Sequence, residues 1–268
     1  MGNKEENLKL FWPKNAPDIS QVSKYINKYK NEKIVIKCGG KVLIDPNLFD
    51  NFIEDISVLY KLGLKVIIIH GGGPRIKEEL AKLNIESEFI NGLRVTNKQT
   101  MEVVEKALVD FNIEIIKKLE KKNCKSEGLN VCTNNVIIVD QENKNLGFVG
   151  KPRKIFNEKI NIVIDKNVIP VLSPMGKGDD DQKYNINADT AAAAVAKSLK
   201  SRRLLLMTDV EGVYDENKKL INEIKPSEAK NLINKKIVQG GMIPKLLNSI
   251  DAIENGVKGV VIIDGRKL

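Results

Sequence analysis

Six short aliphatic runs punctuate this chain, at residues 34–36, 66–69, 136–139, 169–172, 204–207 and 260–263. Each has the length of a strand, and a run without polar alternation suits a sheet covered on both faces. Between most of them the apolar residues recur at the helical period. Residues 49–62 place Phe49, Phe52, Ile53, Ile56, Leu59 and Tyr60 at that spacing. The Gly71-Gly72-Gly73-Pro74 stretch opens a helix to about Leu83, and further helices are predicted over 100–121 and near 225–233 and 244–255. Asn187-Ala188-Asp189 caps an alanine-rich helix through Leu199, because an Asn or Asp side chain satisfies the free N–H groups of a first turn. Residues 92–96 and the polar stretch 176–183 read as loops, and 143–154 as a hairpin-like excursion. Strands alternating with helices in this manner build parallel α/β folds.

A chain of 268 residues supports one large domain or two of ordinary size. We place a soft boundary near residue 200, which divides 31–200 from 201–268, and treat 1–30 as an N-terminal arm. In that arm Asp18 caps a short amphipathic helix presenting Ile19, Val22, Ile26 and Tyr29, either packed on its own domain or docked on another subunit. No stretch approaches the ~20 apolar residues of a membrane span. The N-terminus lacks the long apolar core of a secretory signal, and three cysteines without a CxxC pair point to a reducing compartment, so a cytoplasmic location is expected. The net charge of +9 is carried by basic pairs scattered among acids. That pattern fits solvated helix faces and attraction for anionic small molecules rather than a nucleic-acid partner. The single histidine, His70, excludes HExxH and His-rich zinc chemistry and is read as structural; no metal site is predicted.

Two predicted strands end in glycine clusters, Lys37-Cys38-Gly39-Gly40 and His70-Gly71-Gly72-Gly73. Glycine lets backbone N–H groups approach a ligand, and a following helix offers its positive end to an anion. With a lysine in one cluster, the pair points to a phosphate site at the carboxyl ends of the strands. No GxxxxGK[ST], GxGxxG, HRD or DFG occurs, so any nucleotide is held by another architecture. Arg94, in a glycine-led loop, has the fork to grip a carboxylate. Asp189 sits in a first helical turn, where it favours the dipole, whereas Lys245 follows Gly240-Gly241 and Pro244 at a helix start, where a cation opposes it. A costly placement of that kind suggests a functional reason.

Taken in order, IVIKCGGK, IIIHGGGP, NGLRVT, IPVLSPMG, YNINADTAAAAVA, LLLMTDVEGVYD, GGMIPK and IIDGR resemble the amino acid kinase family over roughly residues 20–266, and within it the branch that phosphorylates N-acetyl-L-glutamate. The resemblance implies a three-layer αβα sandwich on a mainly parallel sheet, in two lobes. The N-terminal lobe would bind the acyl amino acid and the C-terminal lobe ATP. It implies catalytic roles for Lys37 and Lys245 at the transferring phosphoryl group, organised by Asp189. Gly72, Gly73, Arg94, Asn185 and Asn187 would bind the acceptor. Gly39, Gly40, Thr208, Asp209, Val210, Gly212, Val213, Tyr214 and Gln239 would bind the nucleotide, with Mg²⁺ carried on ATP and no dedicated protein ligands. The product would be N-acetyl-L-glutamyl 5-phosphate, an intermediate of arginine biosynthesis. A homodimer is expected, extended to a hexamer if the N-terminal helix docks on another subunit. Two other readings stay open: a relative acting on a carrier-protein-linked aminoadipate or glutamate, and a ligand-binding member without turnover.

Three departures from the family pattern stand out. Gly128 to Asn135 replaces an SGKDG-like loop, Val261 stands where a histidine is usual, and the chain ends at Leu268, just after Gly265-Arg266. Arginine-inhibited members use a longer tail for feedback, so weakened or absent arginine control is the expectation.

Overall fold

A computed structural model describes residue 18 and residues 26–266. The predicted N-terminal helix lies, except for its last residues, outside the described residues. Six strands, β1 (Lys33–Cys38), β2 (Lys65–His70), β5 (Ser126–Leu129), β8 (Ile169–Leu172), β11 (Arg203–Thr208) and β12 (Val260–Asp264), form one sheet in the order β12-β11-β1-β2-β8-β5. Every pairing in it is parallel. Because β1 pairs with β2 on one side and β11 on the other, the segments before and after residue 200 share this sheet.

The period-two alternation of the strands sorts their side chains into two cores. Ile34 and Ile36 of β1 and Val66 and Ile68 of β2 meet α1 (Pro46–Lys61) and α3 (Lys98–Lys121), through Phe52, Ile53 and Ile56 and through Phe111, Ile115 and Leu119. Val35, Ile67, Ile69, Leu204 and Leu206 face the other way. They pack against α4 (Asn157–Asp165), α5 (Ala188–Ser198) and α7 (Met242–Glu254), through Ile160, Val163 and Ile164, the alanines of α5, and Ala252. Helices on both faces of a parallel sheet make the three-layer αβα arrangement. Each fully buried aliphatic or aromatic side chain contributes about 1.5–3 kcal/mol relative to exposure, which is why aliphatic runs, not backbone propensity, define these strands. Two smaller cores lie beside the main ones, one between α2 (Gly73–Lys82) and α3, the other around α6 (Pro226–Asn234) and α7.

The run at 136–139 belongs to a second sheet. Its strand β6 (Ile137–Gln141) pairs antiparallel with β7 (Gly150–Ile155), which is the hairpin expected over 143–154. Two expected loops are hairpins instead. Residues 176–183 are flanked and partly occupied by β9 (Met175–Lys177) and β10 (Lys183–Asn185), which pair antiparallel while β9 docks on β6. Their polar composition hides strands only three residues long, and β6, on which β9 docks, is remote in sequence. Around residue 92, β3 (Phe89–Ile90) and β4 (Leu93–Arg94) form a two-stranded ribbon. Its turn is Asn91-Gly92, with φ of 50° and 79°, the positive pair that a two-residue hairpin turn requires. Strand β5 and helix α4 carried no sequence expectation. Among the described residues no helix is long and apolar enough to cross a membrane.

Candidate active site

The register of the sheet sets the two glycine clusters side by side, since Cys38 and His70 are paired neighbours at the ends of β1 and β2. The Gly71 N–H donates to the Cys38 carbonyl at 2.7 Å, tying one turn to the other. Gly40 has φ +63°, a conformation that only glycine adopts without cost. A Cβ there would also collide with the Asp209 carboxylate at the end of β11, which accepts the Lys41 N–H at 3.2 Å. At Gly72 a Cβ would strike Leu108 of α3, whereas at Gly73 it would meet nothing within 4 Å. The second turn is therefore packed from behind and open in front, with the N-terminus of α2 directly after it.

Three charged side chains converge from three elements. Lys37 reaches from β1 to within 3.0 Å of Asp189 Oδ1, and Lys245 in the first turn of α7 donates to Asp189 Oδ2 at 2.6 Å. Asp189 is held in the first turn of α5, where the Asn187 carboxamide oxygen accepts the Asp189 and Thr190 N–H groups at 2.9 and 3.1 Å. Lys245 is only 5% exposed, so Asp189 compensates a cation that its own helix dipole opposes. Burial pushes the Asp189 carboxyl up, but Lys37 and then Lys245 outweigh it and hold the group below the usual carboxylate range. Burial pulls Lys245 below the ordinary lysine value, with Asp189 opposing and Lys37 adding to the effect. Two ammonium groups against one carboxylate leave the cluster with excess positive charge, ready for a polyanion.

Beside this cluster lies a cleft of about 260 Å³, lined by Lys37, Gly39, Gly40, Gly72, Gly73, Arg94, Asn185 and Asn187, with further walls from Phe89, Leu108, Val149 and Pro174. Arg94 is 8% exposed. Its guanidinium donates to Ser87 Oγ and, at 3.3 Å, to the Gly73 carbonyl, and lies 4.7 Å from the Phe89 ring centroid. Burial lowers its affinity for its proton, and among the described residues it makes no ion pair with a carboxylate. A desolvated guanidinium with neutral partners is a seat for an incoming anion. Because the Asn187 oxygen is committed to the helix cap, its amide nitrogen is the group left for a ligand.

The residues expected at the nucleotide fall into separate places. Thr208 ends β11, and Asp209 touches the first glycine turn. Val210 is exposed beyond them. Gly212 and Val213 line a different cavity of about 450 Å³, whose walls are largely aliphatic and include Leu246, Ile250 and Val261. Tyr214 bonds Glu211 at 3.1 Å, and Gln239 bonds the Lys236 carbonyl at 3.4 Å just before α7. Tyr214 and Gln239 line neither space. Phe89, Leu108, Val149 and Pro174 were not anticipated as cleft walls. Only Phe89 had a local signal, the Asn91-Gly92 turn that folds it back toward Arg94.

This arrangement has relatives. The model of the amino acid kinase family matches residues 32–264. An acetylglutamate kinase of Pelagibacter ubique is 52% identical, over 98% of this chain and 92% of its own length. One of Ruegeria pomeroyi is 38% identical with the same coverage. Among solved structures, the N-acetylglutamate synthase of Neisseria gonorrhoeae, complexed with coenzyme A and N-acetyl-glutamate, superposes with a TM-score of 0.83 at 20% identity. That match covers 92% of this chain and 57% of the synthase, and at such identity it speaks for the fold alone. With the parallel αβα sheet, the paired glycine turns and a match that spans nearly the whole chain, this protein belongs to the amino acid kinase family.

Proposed function

We propose that the chain transfers the γ-phosphoryl group of ATP to the γ-carboxylate of N-acetyl-L-glutamate, giving N-acetyl-L-glutamyl 5-phosphate. The observation that carries this reading is the bridge Lys37–Asp189–Lys245, whose Lys37 lines the glycine-walled cleft. The nucleophile is a carboxylate with an ordinary pKa near ~4.3, already ionised at neutral pH, so no general base is needed. The obstacle is repulsion between that anion and a polyanionic phosphate. Lys37 and Lys245, held apart and oriented by the two oxygens of Asp189, neutralise the equatorial phosphoryl oxygens. The N–H groups of the two glycine turns and the end of α2 add fixed dipoles. Arg94 takes the α-carboxylate of the acceptor in a bidentate grip, with Asn185 and Asn187 at the acyl amide.

In this reading the acceptor sits on the 31–200 side, the nucleotide on the 201–268 side, and transfer occurs where Asp189 joins Lys37 to Lys245. Magnesium fits as an ion carried by the nucleotide. No group of three or more acidic, cysteine or histidine side chains among the described residues forms a cage for it, and both Asp189 oxygens face lysines. Phosphate oxygens and water are its natural ligands. When bound, it supplies further neutralisation of the phosphate chain.

Trapping the acyl phosphate with hydroxylamine tests the reading. Hydroxamate should form from N-acetyl-L-glutamate only with ATP and Mg²⁺, and Lys37→Ala and Lys245→Ala should each lower kcat by about 10²–10³. Nucleotide binding without turnover of any N-acyl glutamate would sink it.

A further inference from the structure

His70 closes β2 with its side chain fully buried. Its Nδ1 lies 3.0 Å from the Gly71 carbonyl oxygen and its Nε2 lies 3.2 Å from Nδ2 of Asn112 on α3. A carbonyl accepts and a carboxamide nitrogen donates, so the two contacts select one tautomer, with Nδ1–H donating to Gly71 and Nε2 accepting from Asn112. The orientation of the Asn112 amide is fixed independently, because the same Nδ2 donates to the Val171 carbonyl at 2.9 Å. Burial holds His70 at a pKa of about 4, with Arg75 the charged group acting on it, so the ring is neutral across the working range. Phe111 meets it edge-on at 5.2 Å, and Arg75 lies 4.0 Å over the Phe111 ring.

Packing alone does not account for this network. The Asn112 Oδ1 is buried with no hydrogen-bond partner among the described residues, a loss that an aliphatic residue at the same position would avoid. The space beside it is kept by Gly128 of β5, where a Cβ would collide with that oxygen. Leu108, one helical turn before Asn112, is the side chain that backs Gly72. One face of α3 thus bears on the second glycine turn twice, directly at Gly72 and through His70 at Gly71.

We propose that His70, aimed by Asn112, is a positioning residue for phosphoryl transfer: it fixes the Gly71 carbonyl and thereby directs the N–H groups of Gly72 and Gly73, which follow it in the turn, at the transferred group. The inference rests on the reading of the cleft as a phosphoryl-transfer site. Gly71 also donates to the Cys38 carbonyl, so a displaced Gly71 carbonyl would disturb both turns. A displacement of about 1 Å in such a group costs on the order of 10² in rate.

Steady-state kinetics of wild type, His70→Gln and His70→Asn, with ATP and N-acetyl-L-glutamate, test it. Asparagine can offer an N–H near the Nδ1 position and keeps the bond to Gly71, so its kcat should stay within about threefold of wild type. Glutamine can accept from Asn112 but has no donor at Gly71, so kcat should fall about 10- to 100-fold with both KM values little changed. Because the chain has one histidine, ¹⁵N NMR of the imidazole reads the same bond without any variant. Nδ1 should be protonated and Nε2 bare, with Nδ1 shifting when Mg²⁺ and a non-hydrolysable ATP analogue are added. An Nε2–H tautomer, or full kcat in a folded glutamine variant, would overturn the inference alone. A wild type that binds nucleotide without turnover would overturn the functional reading and this inference with it.

Discussion

Replacing Asp189 with asparagine keeps the side chain's size while removing the one negative charge between two buried ammonium groups. Lys37, Asp189 and Lys245 are 12%, 15% and 7% exposed at their side chains, and their contacts are 3.0 and 2.6 Å. Breaking a buried ion pair from one side costs about 3–5 kcal/mol, because the charge left behind has neither water nor a partner. Here two charges are left, facing each other. A loss of that size is a fifth or more of the ~5–15 kcal/mol that holds a typical domain together. The comparison that isolates the cause is Lys245→Met. It removes one of the two competing cations and leaves Asp189 paired with Lys37 at 3.0 Å, so its loss should be clearly smaller than that of Asp189→Asn. Urea unfolding of both variants at neutral pH measures the difference. The sign of the pH dependence gives a second check. In Asp189→Asn the folded state disfavours protonated Lys245 even more than wild type does, so the unfolded state binds more protons and stability rises with pH as the lysine titrates. Equal losses in the two variants, or a deficit indifferent to pH up to the lysine range, would refute the claim that Asp189 holds two competing cations.

Three other outcomes follow from particular contacts. Gly40→Ala should lose about 1–2 kcal/mol in urea unfolding from its positive φ alone and displace Asp209, whereas Gly73→Ala, with open space before it, should fold normally and bind substrates worse by calorimetry. Arg94→Ala should raise KM for the acyl amino acid about 10- to 100-fold while leaving nucleotide affinity intact, with Arg94→Lys unable to restore the bidentate grip. His70 is held neutral at a pKa of about 4 against an ordinary 6.5. The unfolded state therefore takes up the proton first as pH falls, and stability from this group drops by about 2 kcal/mol between pH 7.5 and 5 and about 3 kcal/mol in all. The difference between the stability profiles of wild type and His70→Gln reads that slope directly; parallel profiles would contradict it.

Much of the scaffold was legible because its signals are local. Buried parallel strands are aliphatic runs, the Asn187 cap accepts the N–H groups two and three residues further on, and glycine turns at strand ends are written in consecutive letters. The misses were also instructive. Asn91-Gly92 announces a hairpin but sits in a polar stretch that reads as a loop, and α4 hides Ile160, Val163 and Ile164 in a short run beside another element. Strand β5, with only Leu129 fully buried, is a strand because β8 offers it an edge. No composition of Ser126-Glu127-Gly128-Leu129 would say so.

By itself, then, the sequence determined that six aliphatic runs become strands, where the backbone must turn tightly, and that Lys245 stands at a helix start that disfavours a cation. Only the tertiary structure decided that β11 lies beside β1, that α5 and α7 begin close enough for one carboxylate to hold Lys37 and Lys245 together, and that Arg94 is dehydrated among neutral partners. The physical reason is range. Turn chemistry and periodicity act over a few residues, but desolvation and pairing of charge depend on which distant surfaces the core brings into contact.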